Sequence, residues 1–428
     1  MDAIVLFGFL FLFIALGVPI ALALGMASFS VILLFDTSTL LFQSRSIVTA
    51  VNSYPLLAVP LFILAGDLMY TGGLSRRIIA FVESLVGSFT ASLAYANVLA
   101  STFFAAISGS SPATVAAIGT NLIPEMEKRG YSRKYSSALT AASGMIGVMI
   151  PPSIPFIMYG ISAEQSVSTL FIAGVIPGIL FALGFMMTAN FLYKKSGFVC
   201  TTVKFEKSYV FKTFKEAFWA LLAPVIILGG IYGGIFSPTE AASVAVLYAL
   251  FVGVFIYKDL KMSDIWNTFM KASLTSGTVL ALVAFASTFG RLLTLQQVPV
   301  KLAHFLTTFS DNPIVILLII NIFLLFVGMF METIASIIIL TPILFPVVTQ
   351  IGVDPILFGV IITVNLAIGF CTPPLGVNLF VASGISKLSI EEISKSVYPY
   401  FIVMILLLVL ITYIPAISLT LPRLILGL

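Results

Sequence analysis

The chain has 428 residues, of which 60% are hydrophobic and only 9% are charged, and its formal net charge is +4. A soluble domain carries about 25% charged residues, so this composition excludes a soluble globular protein and predicts several membrane-spanning helices in a lipid bilayer. The sequence has no phosphate-binding loop, which argues against ATP hydrolysis, and it gives no indication of nucleic-acid binding. Two cysteines, Cys200 and Cys371, and one histidine, His304, provide neither a disulfide framework nor a multi-histidine metal site.

Lysine and arginine are concentrated in a few connections between the predicted helices. These basic connections lie at residues 76–77, 128–134, 194–215, 258–261 and 387–395. The connections that contain neither residue type lie at 161–168, 236–240 and 347–355. The positive-inside rule places the first group in the cytoplasm and the second group on the outer side of the membrane.

The chain contains an internal duplication. The glycines and prolines that recur at a spacing of 222 residues are Pro124 and Pro346, Gly130 and Gly352, Gly147 and Gly369, Pro151 and Pro373, and Pro152 and Pro374. Because the helices break at matching places, we predict two structural repeats, as in many secondary transporters. The first repeat covers 1–193, a basic cytoplasmic linker covers 194–216, and the second repeat covers 217–428.

In the first repeat, an apolar stretch at about 88–126 has both ends on the cytoplasmic side. It therefore predicts a re-entrant helical hairpin whose tip lies at 108–112. The next helix, at about 136–162, is broken at Pro151 and Pro152, because proline lacks a backbone N–H and clashes with the preceding turn.

In the second repeat, the hairpin at about 313–348 has both ends outside, and the helix at about 356–386 is broken at Pro373 and Pro374. A C-terminal helix follows. Two full spanning helices in place of either hairpin would contradict the charge of the next connection. The repeats are therefore inverted, and the predicted fold is an all-α polytopic membrane protein with two inverted repeats, two re-entrant hairpins and two broken helices, of the elevator type found in the ion transporter superfamily.

Broken helices inside a membrane free backbone carbonyl groups, which are tolerated only in the protein interior or beside a cavity. Carbonyl and hydroxyl oxygens suit a small cation, whereas half-helix N-termini suit an anion. The predicted first cation site consists of Ser108, Ser110, Gly147, Ile150 and Pro152. The predicted second cation site consists of Gly328, Thr333, Gly369, Thr372 and Pro374. The alternative is that these glycine and proline breaks only improve helix packing.

Polar residues near the breaks are candidates for substrate contacts. The predicted substrate-binding residues are Ser110, Ser153, Arg291, Glu332, Asn365 and Asn378. Arg291 is suited to a substrate carboxylate or, alternatively, to a membrane interface. Glu240 has the position of a helix-capping carboxylate. The apolar segments contain no paired histidines, which favours sodium over protons as the coupling ion.

These motifs together resemble the large membrane subunit of the tripartite ATP-independent periplasmic (TRAP) transporters. The segments that carry the resemblance are 17–21, 108–114, 150–153, 236–242 and 372–376, and it extends over essentially the whole chain. It implies sodium-driven uptake of an organic acid, C4-dicarboxylate or sialic acid, across the bacterial inner membrane by an elevator movement. It also implies a periplasmic substrate-binding protein and a separate small four-helix membrane subunit as partners. The polar residues Ser153, Asn365 and Asn378 favour a polyhydroxylated acid such as sialic acid.

Two other functions fit parts of the sequence. The first is a stand-alone proton- or sodium-coupled organic anion transporter of related architecture, which co-purification with a small subunit would distinguish. The second is a membrane-embedded enzyme, which is disfavoured because the sequence offers neither a nucleophile–base pair nor a metal cluster.

Overall fold

The computed structural model describes residues 2–36, 38–197, 206–310 and 312–427. Cys200 and part of the predicted linker, 198–205, lie outside the described residues. Every regular element in the described ranges is helical, and eight helices there are long and apolar enough to cross a membrane. The predicted all-α polytopic fold is confirmed.

The first half contains ten α-helices. They are α1 (Asp2–Ala15), α2 (Ile20–Phe35), α3 (Leu40–Val51), α4 (Ala58–Thr71), α5 (Leu74–Val86), α6 (Ser92–Ser108), α7 (Ser111–Lys128), α8 (Arg133–Gly144), α9 (Ile154–Ser162) and α10 (Val167–Ser196). The helices α6 and α7 form the first hairpin. The helices α8 and α9 are the two parts of the first broken helix, and a short 3-10 turn at Met145–Val148 follows α8.

The second half also contains ten α-helices among the described residues. They are α11 (Lys207–Tyr232), α12 (Pro238–Phe251), α13 (Met262–Leu295), α14 (Val298–Phe309), α15 (Pro313–Phe330), α16 (Thr333–Gln350), α17 (Pro355–Gly369), α18 (Val377–Ser386), α19 (Ile390–Tyr413) and α20 (Ala416–Leu426). The second hairpin is α15 and α16, and the second broken helix is α17 and α18. Glu240 does cap α12, in a capping box with Ser237.

Three features differ from the sequence-based expectation. The helices extend into the predicted linker, because α10 includes Lys194 and Lys195 and α11 begins at Lys207. The short helix α14 precedes the second hairpin. The predicted single C-terminal helix is two helices, because Pro415 disfavours a helical conformation at the residue before it, where α19 has ended.

The two repeats interlock at their broken helices. The second arm of the first hairpin, α7, packs against α18 of the second repeat, and the second arm of the other hairpin, α16, packs against α9 of the first repeat. Each hairpin also packs on the broken helix of its own repeat, α6 on α8 and α15 on α17. The four elements of each kind therefore form one block in the middle of the molecule.

Ion pairs join the helix ends that the charge pattern places in the cytoplasm. Arg129 at the end of α7 pairs with Glu83 of α5 and with Glu125, at 3.0 Å in the latter case. Lys134 of α8 pairs with Glu392 of α19 at 2.9 Å. The positive charges of these connections are thus used to hold neighbouring helices together on one face.

The inverted arrangement predicts a labelling pattern. Single cysteines at Lys128 and Thr349, both exposed at the bases of the two hairpins, should react with a membrane-impermeant thiol reagent from opposite faces of the membrane. The measurement is reagent accessibility in right-side-out and inside-out vesicles, in a background lacking the native cysteines. Labelling of both positions from the same face would contradict the inverted hairpins.

Candidate functional site

The tip of the first hairpin contacts the break of the first broken helix. The turn between α6 and α7 is at Gly109, whose φ of +61° favours glycine. The carbonyl oxygen of Gly109 accepts a hydrogen bond from the N–H of Ile154 at 3.2 Å. A Cβ atom placed on Gly109 would lie 2.5 Å from the carbonyl oxygen of Pro152. The tip therefore reaches the break only because residue 109 has no side chain.

Backbone and hydroxyl oxygens converge at this contact. The hydroxyl of Thr114 donates to the carbonyl oxygen of Ser110 at 2.8 Å, and it lies 3.1 Å from the hydroxyl of Ser108. A Cβ atom on Gly147 would lie 2.5 Å from Thr114 Oγ1 and 2.7 Å from the Ser110 carbonyl oxygen. The structure thus brings together four of the five residues predicted for the first cation site, Ser108, Ser110, Gly147 and Pro152.

Ile150, the fifth predicted residue, lies in the same break. Its side chain packs against Gly178 of α10, so only its backbone is available to this region. The peptide bond between Pro151 and Pro152 is cis, as is the bond between Pro373 and Pro374.

The second hairpin contacts the second break in an equivalent way. A Cβ atom on Gly369 would lie 2.8 Å from the Cα atom of Gly328, so these two glycines allow α15 and α17 to meet backbone to backbone. The N–H of Leu375 donates to the carbonyl oxygen of Met329 at 3.2 Å. Thr372 lies in this break and donates its hydroxyl to Ile368 at 2.9 Å.

The other two residues predicted for the second cation site flank this contact. Thr333 is the first residue of α16 and is buried, and Pro374 lies in the break next to Leu375. The predicted members of the second site are therefore grouped around one tip and one break, as in the first repeat.

Two predicted substrate-binding residues are helix caps. The carboxylate of Glu332 accepts hydrogen bonds from the N–H groups of Ile334 and Ala335 at 2.9 and 3.1 Å, at the start of α16. The hydroxyl of Ser153 accepts from the N–H of Phe156 and donates to the carbonyl of Val148 at the start of α9. These side chains fix the half-helix N-termini that face the breaks.

Asn378 joins the two repeats. Its amide exchanges hydrogen bonds of 2.8 and 3.0 Å with the hydroxyl of Ser111 at the start of α7, and it donates to the carbonyl oxygen of Ala141 in α8 at 2.8 Å. The side chain is fully buried. Its hydrogen bonds are made to the protein, so its first role is to hold α18 against the first repeat.

Asn365 belongs to a polar chain across three helices. Its Nδ2 donates to the Asn321 side chain of α15 at 2.7 Å, and Asn321 donates in turn to Thr412 of α19 at 3.1 Å. The backbone carbonyl of Asn365 faces Gly328. The side chain therefore points along the α15–α19 side of α17, and the backbone is the part nearest the second tip.

Arg291 is not part of either tip–break contact described above. It is exposed near the end of α13 and donates to the hydroxyl of Ser46 in α3 at 3.1 Å. This contact joins two helices outside the interlocked block, and it favours the interfacial interpretation of Arg291 over a substrate contact.

Sequence reasoning missed one residue of the first site, Thr114. A signal was present, because Thr114 and its counterpart in the second repeat, Ser336, both carry hydroxyls four residues after the hairpin turn. Both donate to that turn, Thr114 to Ser110 and Ser336 to Glu332 at 3.0 Å. A hydroxyl recurring at the repeat spacing beside a break marks a tip residue.

Both sites are built from uncharged oxygens. Among the residues the structure describes, no group of three or more histidine, cysteine, aspartate or glutamate side chains could hold a metal ion. Carbonyl and hydroxyl oxygens are ligands for hard cations, and without carboxylates they suit a monovalent ion better than a divalent one.

The sequence was compared with known proteins. Residues 7–417 match the family described as "Tripartite ATP-independent periplasmic transporter, DctM component". The chain belongs to this family. The resemblance seen in the sequence motifs is confirmed, and this TRAP permease is a multi-pass protein of the inner membrane.

Several curated relatives carry TRAP names. The chain is 45% identical to the isethionate TRAP transporter permease protein DctMQ of Oleidesulfovibrio alaskensis over 96% of its own length and 65% of that protein. It is 39% identical to the sialic acid TRAP transporter large permease protein SiaM of Vibrio cholerae, with 92% of each chain covered. It is 37% identical to the C4-dicarboxylate TRAP transporter large permease protein DctM of Rhodobacter capsulatus, with 99% of each covered.

These relatives are named as transporter components, so this TRAP permease is a transport protein and not an enzyme. Among solved structures, it resembles the YdaH transporter of Alcanivorax borkumensis with a TM-score of 0.62 and 16% sequence identity, covering 90% of this chain and 88% of that one. At this identity the likeness concerns the fold alone.

Proposed function

We propose that this TRAP permease takes up a small organic anion and couples the uptake to sodium ions. The observation that carries the proposal is the pair of tip–break contacts, where uncharged oxygens converge beside Gly147 in one repeat and beside Gly369 in the other. Two equivalent cages in inverted repeats are the arrangement expected for ion-coupled transport at the membrane midplane.

Each cage would hold one sodium ion. In the first, Ser108, Ser110 and Thr114 supply hydroxyls or carbonyls from the tip, and 147–152 supplies carbonyls from the break. In the second, Gly328 and Thr333 lie on the tip side, and Gly369, Thr372 and Pro374 lie on the break side. The donor set fits a hard monovalent cation, and the absence of a histidine or carboxylate group among the described cage residues favours sodium over protons.

The substrate would bind between the two cages as an anion. The helices α7 and α16 start at the two tips, α9 and α18 start at the two breaks, and helix N-termini attract negative charge. The relatives are named for isethionate, sialic acid and C4-dicarboxylates, which are all anions. Because the Ser153, Asn365 and Asn378 side chains are engaged by the protein, they no longer favour sialic acid, and we propose a carboxylate or sulfonate substrate without choosing between these relatives.

The complete transporter would have two further components. A periplasmic binding protein would deliver the substrate, and a separate small four-helix membrane subunit would bind the helices outside the interlocked block. That block would move across the membrane as an elevator, because the two cages are packed together and would move together.

The deciding experiment is uptake into proteoliposomes that contain the permease, its small subunit and its binding protein. The panel should include isethionate, sialic acid and a C4-dicarboxylate, each with an inward sodium gradient and with choline in its place. Uptake of one acid that requires sodium and the binding protein is the expected result. Uptake by the purified chain alone would favour the stand-alone transporter, and a requirement for a proton gradient would contradict sodium coupling.

Removing one hydroxyl from each cage should weaken sodium dependence without preventing folding. We expect Ser110→Ala and Thr372→Ala to raise the sodium concentration for half-maximal uptake about fivefold, because one ligand contributes about 1 kcal/mol. Thr120→Ala is the matched control, since Thr120 is an exposed residue of α7 whose hydroxyl bonds within the helix. An unchanged sodium requirement in both cage variants would remove these residues from the ion sites.

A further inference from the structure

Buried polar side chains line the contact between α6 and α8. Asn97 and Ser101 lie four residues apart on α6, and Thr140 and Ser143 lie three residues apart on α8, so each pair occupies one face of its helix. The Asn97 amide and the Thr140 hydroxyl meet at 2.7 Å between the two helices. All four side chains are completely buried.

The hydrogen bonds determine how the Asn97 amide is oriented. Thr140 donates its single hydroxyl proton to the carbonyl oxygen of Ser136 at 2.8 Å, so it can only accept from Asn97. The Asn97 nitrogen must therefore face Thr140. The carbonyl oxygen of the amide, Oδ1, consequently points to the other side of the side chain.

Three oxygens in this contact have no protein partner among the residues that the structure describes. They are Asn97 Oδ1, Ser101 Oγ and Ser143 Oγ. A buried polar atom without a partner is costly, and native proteins rarely keep three in one place unless something polar binds them. The arrangement therefore indicates a site for a small polar or charged species.

The same position is polar in the other repeat. Ser143 corresponds to Asn365 at the spacing of 222 residues, and Asn365 Oδ1 is also buried without a partner in the described structure. In both repeats, this residue lies one helical turn before the glycine of the break, Gly147 or Gly369. Recurrence in inverted repeats argues that the polar residue is retained for a common purpose.

The α6–α8 contact lies between the first cage and the cytoplasmic helix ends. Ser143 precedes Gly147 by one turn of α8 and Ser101 precedes Ser108 by two turns of α6, and both helices begin at the face where Arg133 and the other basic residues are found. A cation that leaves the first cage toward the cytoplasm would meet these oxygens next.

We propose that Asn97, Ser101 and Ser143 form an additional binding site for a monovalent cation, on the cytoplasmic side of the first cage. The site has three neutral oxygens and no carboxylate, which suits Na⁺ and disfavours a divalent ion. The proposal rests on the sodium coupling proposed above and assigns to the chain a third oxygen site that the two tip–break contacts do not include.

The test compares sodium binding by the wild-type permease and a Ser101→Ala/Ser143→Ala variant, both purified with the co-purifying membrane subunit in lipid nanodiscs. The measurements are ²²Na⁺ binding at equilibrium and the sodium-dependent rise of the unfolding temperature, with choline as the reference salt. Ser137→Ala is the matched control, because Ser137 is equally buried in α8 but its hydroxyl already donates to Arg133 at 2.8 Å.

We expect the double variant to bind one sodium ion fewer than the wild type and to show a smaller rise of the unfolding temperature with sodium. In choline it should be at least as stable as the wild type, because the substitutions remove unpartnered hydroxyls. This result would also show that the variant is folded. The single variant Ser143→Ala should bind the same number of ions with an affinity about fivefold lower.

The other outcomes separate the two proposals. If the wild type binds sodium and the double variant binds it identically, the additional site is wrong and the coupling proposal stands, with water as the occupant of the α6–α8 contact. If the wild type binds no sodium at all, the coupling proposal fails and the additional site fails with it.

Discussion

Replacing Gly147 by alanine should reduce sodium-driven uptake at least tenfold. The new methyl group would lie 2.5 Å from Thr114 Oγ1 and 2.7 Å from the Ser110 carbonyl oxygen, and atoms cannot remain that close. Overpacking a well-packed interior costs about 1–3 kcal/mol, and the relief of this clash would separate the tip from the break. A cost of about 1.4 kcal/mol corresponds to a tenfold change.

The control is the same substitution at Gly384 of α18, where a Cβ atom would meet nothing within 4 Å. Gly384→Ala should leave uptake unchanged, because it adds a methyl group to the same block without a clash. Gly369→Ala should behave like Gly147→Ala, since its methyl group would press on Gly328 in the second contact. Normal sodium-dependent uptake by Gly147→Ala, with normal expression, would show that the tip and the break need not touch during transport.

Replacing Asn378 by leucine should destabilise the folded permease by about 1–3 kcal/mol and abolish most uptake. The substitution leaves the Ser111 hydroxyl and the Ala141 carbonyl oxygen without their partner in a fully buried contact between repeats. The measurements are the unfolding temperature in detergent and uptake in proteoliposomes. Asn121→Leu on the exposed side of α7 is the control, because the Asn121 amide bonds only within its own helix in the contacts described.

A double-mutant cycle distinguishes this role from a substrate contact. If Asn378 acts through Ser111, the effects of Asn378→Leu and Ser111→Ala on stability should be non-additive by about 0.5–3 kcal/mol. Additive effects, or loss of uptake with unchanged stability, would return Asn378 to the substrate-binding residues predicted from the sequence.

Much of the block could be predicted because glycine and proline act locally. A proline pair after a glycine ends a helix whatever surrounds it, and its recurrence after 222 residues indicated where the second break would be. Loop charge then set the direction of each hairpin. The oxygens of the two cages are mostly backbone atoms of these same residues, so the positions of the cages followed from the breaks.

Side-chain roles were harder to predict because they depend on distant partners. Nothing near Asn378 indicates Ser111, and nothing near Arg291 indicates Ser46 in another helix. Glu332 and Ser153 could have been recognised as caps, because each directly precedes a helix that starts at a break. The division of the first repeat into α3 and α4, where the second repeat has the continuous helix α13, also depends on local prolines that the repeat spacing does not share.

The contact between Ser111 and Asn378 has a consequence for biogenesis. The two residues are 267 positions apart, so the ribosome completes the first hairpin long before its partner helix emerges. Until then, the hydroxyls and open helix start at the first tip have no protein surface to cover them, and lipid cannot satisfy them. The nascent first repeat must therefore wait in a hydrated or insertase-protected state, and final burial of its tip is a late, post-translational event.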